Sequence, residues 1–365
     1  MLVWLALGTF CESTAAELAA SPAPERLSRT NLLVYRTTRG ELAPVRNKTD
    51  WRKRRSEILE GMQTIMGPLP GKEKRCRLNP WIEEETDCGS YVRRRLSYAA
   101  EPDDRVPAYL LVPKAALTRK ARLPAVLVLH PTDQTHGYRS SIEQLSPRFR
   151  AYAHELAERG FVTLVPAYPL MADYQPDLKG LGYQSGTMKA IWNNKRGLDY
   201  LDSLPFVKHG NYGALGHSLG GHNALYTAAF EDRIAVVVSS CGFDSFLAYY
   251  DGKPENWQAD RGWCQERYMP KLINYRGLLE DIPFDFHEIL ALLAPRRVFV
   301  NAPVRDSNFR WRSVDEIITA ARPVYKLHGA GENLTVEHPD SEHDFPPEQR
   351  QQAYRLLETA LRKGE

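Results

Sequence analysis

Between residues 123 and 239 the chain alternates short, unbroken apolar runs with longer stretches of helical character. LPAVLVLH (123–130), FVTLVP (161–166), the short YGAL (212–215) and IAVVVS (234–239) lack the alternating polar positions of a half-exposed strand. Such runs predict strands buried on both faces. Helices are predicted over Phe149 to Arg159, ended by Gly160, over Gly186 to Leu204, and over His222 to Phe230 following Ser218. RVFVN (297–301) and Leu334 to Glu337 add two strands, and Glu348 to Arg362 a closing helix. Upstream, Tyr91 to Tyr98 and Ala108 to Val112 read as strands joined at Pro102-Asp103-Asp104. The alternation predicts an α/β fold, a mostly parallel central sheet with helices on both faces, occupying residues 91–365.

Two regions depart from this rhythm. Residues 21–90 form an N-terminal extension with one helix, Thr49 to Met66. Thr49 is its expected N-cap, Trp51, Ile58, Leu59, Met62 and Ile65 share a face, and Gly67-Pro68 stops it. Its Arg52-Lys53-Arg54-Arg55 run reads as a solvated face. Residues 243–285 have no clean period but many aromatics, among them Phe246, Trp257, Trp263 and Tyr268. They read as an insertion over the sheet edge. Its aromatics either meet substrate, by stacking on sugar rings or lining an acyl pocket, or form the insertion's own small core.

The first twenty residues open on MLVWLALGTF and continue with small residues, a pattern of signal-peptide type with cleavage after Ala16 or Ala20. No positive segment precedes the run, and it is too short to span a bilayer. A secreted or periplasmic protein is expected. Cys76, Cys88, Cys241 and Cys264 would then meet an oxidising compartment, and every pairing, or four free thiols, stays open. The 365 residues carry 48 Lys and Arg against 45 Asp and Glu, a net charge of +3, with 43% hydrophobic residues. That balance excludes a disordered or multi-span membrane chain and suggests no nucleic-acid partner.

The chemistry centres on Gly216-His217-Ser218-Leu219-Gly220-Gly221. G-x-S-x-G is a weak signal alone, but here it lies between a short apolar strand and a helix. A tight strand–turn–helix exposes the serine hydroxyl, and only small flanking residues tolerate it. A serine needs a neutral imidazole as base and a carboxylate to orient that imidazole. His343, between the last strand and the last helix, is the expected base, ahead of His338. Asp306, after the RVFVN strand, is the expected acid; its rival is Asp244 after the preceding strand. Backbone N–H groups of Leu219 and Thr132 are the expected oxyanion donors, since Pro131 has none. His217, Trp257 and Trp263 are candidate substrate contacts. His338, Asp340 and His343 match no metal-ligand spacing, and no metal site is expected.

With these residues in place, the chain resembles the α/β-hydrolase superfamily, and within it the dienelactone hydrolase, acetyl xylan esterase and prolyl-oligopeptidase-like catalytic domains. His130-Pro131, Gly216 to Gly221, Asp306 and His343-Asp344-Phe345 carry the resemblance, which covers about Tyr91 to Arg362. It implies a serine hydrolase without a cofactor that cleaves carboxylic esters, with small-molecule or polysaccharide esters as substrates. Pro131 departs from the glycine of many relatives. Two other readings stay open. One is an oligopeptidase-like peptidase, for which Asp251, Glu255, Asp260 and Glu266 would bind a free amine; the other is a non-catalytic binding protein.

Overall fold

The computed structural model describes residues 26–118, 122–143 and 151–362. The expected signal segment therefore lies outside the described residues. In chain order the elements are β1 (Val34–Arg36), β2 (Leu42–Pro44), α1 (Lys48–Met66), β3 (Trp81–Asp87), β4 (Tyr91–Glu101), β5 (Asp104–Pro113), α2 (Lys114–Thr118), β6 (Leu123–Leu129), α3 (Tyr152–Glu158) and β7 (Val162–Pro166). They continue with α4 (Gly186–Asp202), β8 (Val207–His217), α5 (Leu219–Ala229), β9 (Ile234–Ser240), α6 (Phe286–Leu292), β10 (Arg297–Asn301), α7 (Trp311–Leu327), β11 (Leu334–Glu337) and α8 (Pro347–Leu361).

Nine strands form one sheet in the order β11-β10-β9-β8-β6-β7-β5-β4-β3. β6 to β11 run parallel, while β5, β4 and β3 add antiparallel neighbours on one side. From β6 the chain crosses to β7 on one flank and returns to β8 on the other. Such a switch point opens a crevice at the C-terminal ends of the two flanking strands, where α/β folds hold ligands. The apolar runs behave as their composition dictates: β6 is buried from Pro124 to Leu129, and β7 is buried throughout.

Several expectations need correction. The α1 N-cap is Asn47, whose side chain accepts from the N–H groups of Thr49 and Asp50. Trp81–Asp87 lies within the expected extension yet is the edge strand of the main sheet, paired with β4. α1 is no separate unit either: Trp51, Ile58 and Met62 join the same apolar core as β6 and β8. The insertion does not cover the sheet edge. It sits over the C-terminal rim, where Trp263 stacks on His222 of α5 at 4.5 Å and the Gly186 N–H of α4 donates to the Glu266 carbonyl. Cys76, Cys88, Cys241 and Cys264 are all free thiols. Among the described residues no helix is long and apolar enough to cross a membrane.

Candidate active site

β8 ends at His217 and α5 starts at Leu219, leaving Ser218 alone to make the turn. It does so at φ 54°, ψ −122°, a conformation that L-residues adopt only when the surroundings enforce it. Its N–H donates to the Ser240 carbonyl at 2.8 Å, and its carbonyl accepts from His222 at 3.1 Å, so both sides of the turn are anchored. The two glycines of the motif are steric requirements. A Cβ on Gly216 would lie 2.2 Å from the Gly220 backbone, and one on Gly220 would lie 1.9 Å from the Leu129 carbonyl oxygen. Leu219 is buried as the first residue of α5, where N–H groups have no intrahelical acceptor.

His343 reaches the same rim from the loop between β11 and α8. Its Nδ1 is 2.9 Å from each carboxylate oxygen of Asp306. Asp306 also accepts from the N–H groups of Asn308 and Phe309, at 2.8 and 3.2 Å. Burial pushes this carboxyl up, but the hydrogen bonds outweigh it, above all those of His343, and hold Asp306 below the usual carboxylate range. The loop bearing His343 is tied down by Asn301 at the end of β10, whose Nδ2 donates to the Asp344 carbonyl at 3.0 Å and to Ser240 Oγ at 2.9 Å. Ser240 Oγ in turn meets Nδ1 of His217 at 3.0 Å. Ser240 and Asn301 escaped the sequence reading; a polar residue closing each apolar run was the available sign.

The rival residues stand elsewhere. Asp244 lies on the neighbouring loop, its Oδ2 accepting from the Arg310 N–H at 3.0 Å. Its Oδ1 has no partner among the described residues, and burial pushes the carboxyl up to about 8. His338 gives its Nδ1 to the Ala302 carbonyl at 2.8 Å. The Cys241 thiol lies beside the pair, with possible ligand atoms of Cys241, Asp306 and His343 all within 4.8 Å of one another. Burial raises this thiol well above its ordinary value, and Sγ donates to the Asp344 carbonyl at 3.3 Å.

Two cavities meet at Ser218. The larger, about 1080 Å³, is lined by His217, His343, Arg305, Glu342 and Asp344 beside Thr132 and Ser218. The smaller, about 130 Å³, is an aromatic slot of Tyr249, Tyr250, Trp263, Tyr268 and Phe309, with Gln265 and Asn308 supplying polar groups. Thr132 and Ser218 border both. Thus Ser218, His343, His217 and Thr132 come together on the large cavity, and Leu219 and Trp263 join Ser218 on the slot. Trp257 does not join them: it is fully buried, edge-on to Phe246 and Tyr249, and belongs to the core of the insertion. Its periodless neighbourhood gave no basis for separating it from Trp263.

A family profile described as "Glucuronyl esterase, fungi" matches residues 177–329, less than half of the chain. A 4-O-methyl-glucuronoyl methylesterase 1 from Sodiomyces alcalophilus is 27% identical over 176 residues, 43% of this chain. The match spans only 34% of that relative's length. The Bacillus subtilis (strain 168) protein YtaP, named a hydrolase without a stated substrate, is 26% identical over 322 residues, 84% of this chain and 100% of its own. Among solved structures, a glucuronoyl esterase from Solibacter usitatus superposes with a TM-score of 0.71 at 18% identity, covering 92% of this chain and 98% of that one. Sheet order, the serine turn after β8 and this superposition agree: the chain has the α/β-hydrolase fold, and the named proteins it is similar to include carbohydrate esterases.

Proposed function

We propose that this protein is a serine hydrolase of carboxylic esters on carbohydrates, working through an acyl-enzyme. The observation that carries the reading is the imidazole of His343 held by both oxygens of Asp306 on a cavity shared with the strained Ser218. Ser218 Oγ attacks the ester carbonyl while His343 Nε2 takes its proton. Asp306 keeps the proton of the neutral ring on Nδ1 and stabilises the imidazolium that forms. The Leu219 and Thr132 N–H groups receive the oxyanion. His343 then protonates the departing alcohol, and water activated by the same imidazole releases the acid.

The two cavities divide the substrate. His343 borders the large cavity and not the slot, so the alcohol it protonates leaves through the large one. The acyl group occupies the slot. Its size suits a compact group, and aromatic faces beside tyrosine hydroxyls, Gln265 and Asn308 suit a hydroxylated ring. The names of the relatives point the same way, toward a uronoyl ester as the first substrate to try. A peptidase is less well supported, because Asp251, Glu255, Asp260 and Glu266 border neither cavity. The apolar run at residues 1–10 supports export.

Wild type should hydrolyse p-nitrophenyl acetate and a methyl glucuronate ester and bind a fluorophosphonate covalently. Ser218→Ala should do none of these while keeping its far-ultraviolet circular dichroism. A folded wild type inert to the fluorophosphonate would sink the proposal.

A further inference from the structure

The oxyanion donor assigned to Thr132 sits in an exposed loop after β6, yet two groups from different parts of the fold hold it. The first is His130. Its Nε2 accepts from the Tyr168 N–H at 2.9 Å, so the proton of the neutral ring is on Nδ1, which donates to the Pro131 carbonyl at 2.8 Å. That carbonyl belongs to the same trans peptide as the Thr132 N–H, so fixing the oxygen points the N–H to the opposite side. The second is Tyr268 of the insertion, whose hydroxyl shares a hydrogen bond of 3.2 Å with Thr132 Oγ1.

Tyr268 is itself rigidly mounted. Its carbonyl accepts from the Thr187 N–H at 3.2 Å and the Glu266 carbonyl accepts from Gly186 at 2.9 Å, both at the start of α4. The Arg267 carbonyl accepts from the Tyr168 hydroxyl at 2.7 Å. A Cβ on Gly186 would fall 2.2 Å from the Arg267 carbonyl oxygen, which shows how closely the segment is seated. The Tyr268 ring packs edge-on against Trp263 at 5.4 Å. Tyr168 links the two holds, its N–H on His130 and its hydroxyl on the segment that carries Tyr268.

We propose that Tyr268 is a positioning residue: through the Thr132 hydroxyl it holds the peptide whose plane His130 sets, so that the insertion completes the oxyanion hole. The proposal rests on the ester-hydrolase reading above. In free solution the loop would sample other orientations of this N–H, and each catalytic cycle would bear the cost of ordering it.

The test compares wild type, Tyr268→Phe, Thr132→Val and the double variant. The readouts are kcat and KM on p-nitrophenyl acetate, the rate of fluorophosphonate labelling of Ser218, and the thermal midpoint. Loss of an oxyanion donor costs a hundred-fold or more, so a donor present but loosened should cost about ten-fold. Each single variant is expected to slow kcat and labelling by that factor, with KM and midpoint near wild type. The double variant should be no slower than the slower single, since both break one bond. Thr132→Val leaves the packing of the insertion intact and tests the contact even if Tyr268→Phe unfolds. Rates within two-fold of wild type, losses that multiply, or a loss confined to KM would overturn the positioning role while leaving the esterase reading in place. A wild type inert to both reagents would overturn the two together.

Discussion

Asp244 and Asp306 stand on adjacent loops at the same rim, and their partners make them opposites. Asp306 holds His343 and stays ionised; Asp244 is buried with one unpartnered oxygen, and burial pushes its carboxyl up to about 8. Asp306→Asn should therefore lower kcat by about 10³-fold or more, since the imidazole loses its orienting charge, whereas Asp244→Asn should leave kcat near wild type. Asp244 also sets a pH dependence of stability. An unfolded aspartate ionises near pH 4, so its contribution is complete below that value and lost as pH rises toward about 8. The thermal midpoint should fall between pH 5 and 9, and Asp244→Asn should flatten that fall. His222 acts in the opposite sense. It is buried between the rings of Tyr226 and Trp263, both its nitrogens lack partners among the described residues, and burial takes it down to about 3. Stability tied to its neutrality is complete above pH 6.5 and lost as pH falls toward about 3. His222→Phe, which keeps the stack, should retain a higher thermal midpoint than wild type at pH 4.5 and differ little at pH 8.

At the scale of elements, the insertion and the N-terminal arm hold each other. Arg29, buried, pairs with Asp285 at 3.1 Å, and Arg26 pairs with Glu288 at 2.9 Å. Asp285 and Glu288 form the capping box of α6, and Asp285 also accepts from the Phe246 N–H at the start of the insertion. Arg29→Ala leaves a fully buried carboxylate without its main cation, a change that typically costs about 3–5 kcal/mol. The expected result is a lower thermal midpoint and proteolytic cleavage within residues 243–285 before the rest of the chain. How far an element could be read depended on its local signal. β6, β7 and β9 announced themselves as unbroken apolar runs. α7 did not enter the reading, although Val314, Ile317, Ile318, Ala321 and Val324 lie on its buried stripe, because Pro323 falls inside that pattern. The helix tolerates it near its C-terminal end, with Tyr325 and Val324 packed in the core. β3 was missed for another reason: WIEEETD is an exposed edge whose side chains carry no core pattern.

At the scale of the whole molecule, the switch from β7 back to β8 places the Thr132 loop beside the serine turn, and the insertion roofs the two with aromatic rings. The resulting partition makes a prediction about substrates. Lengthening the acyl chain of a nitrophenyl ester from acetyl to octanoyl should lower kcat/KM, because an alkyl chain leaves the slot's tyrosine hydroxyls, Gln265 and Asn308 without partners. Enlarging the alcohol of a uronate ester from methyl to benzyl should be tolerated, because on the proposed division of the site the leaving group faces about 1080 Å³. Equal tolerance on both sides, measured as kcat/KM across the two series, would contradict the division of the site.

The linear pattern by itself determined an α/β architecture with a mostly parallel sheet and pointed to Ser218, Asp306 and His343, to which the resemblance to α/β-hydrolases added the fold's name, because buried strands and a crowded serine turn demand residue types that show at short range. It ranked Asp306 ahead of Asp244 without excluding the rival, could not separate Trp263 from Trp257, gave Tyr268 no place of its own among the aromatics, and did not find Ser240 and Asn301. Each of those questions turns on which loop faces which across the rim. The connections that bring the loops together are made by strand order, and strand order depends on pairings between segments distant in the chain, such as Leu129 with Gly216 and Arg297 with Val236.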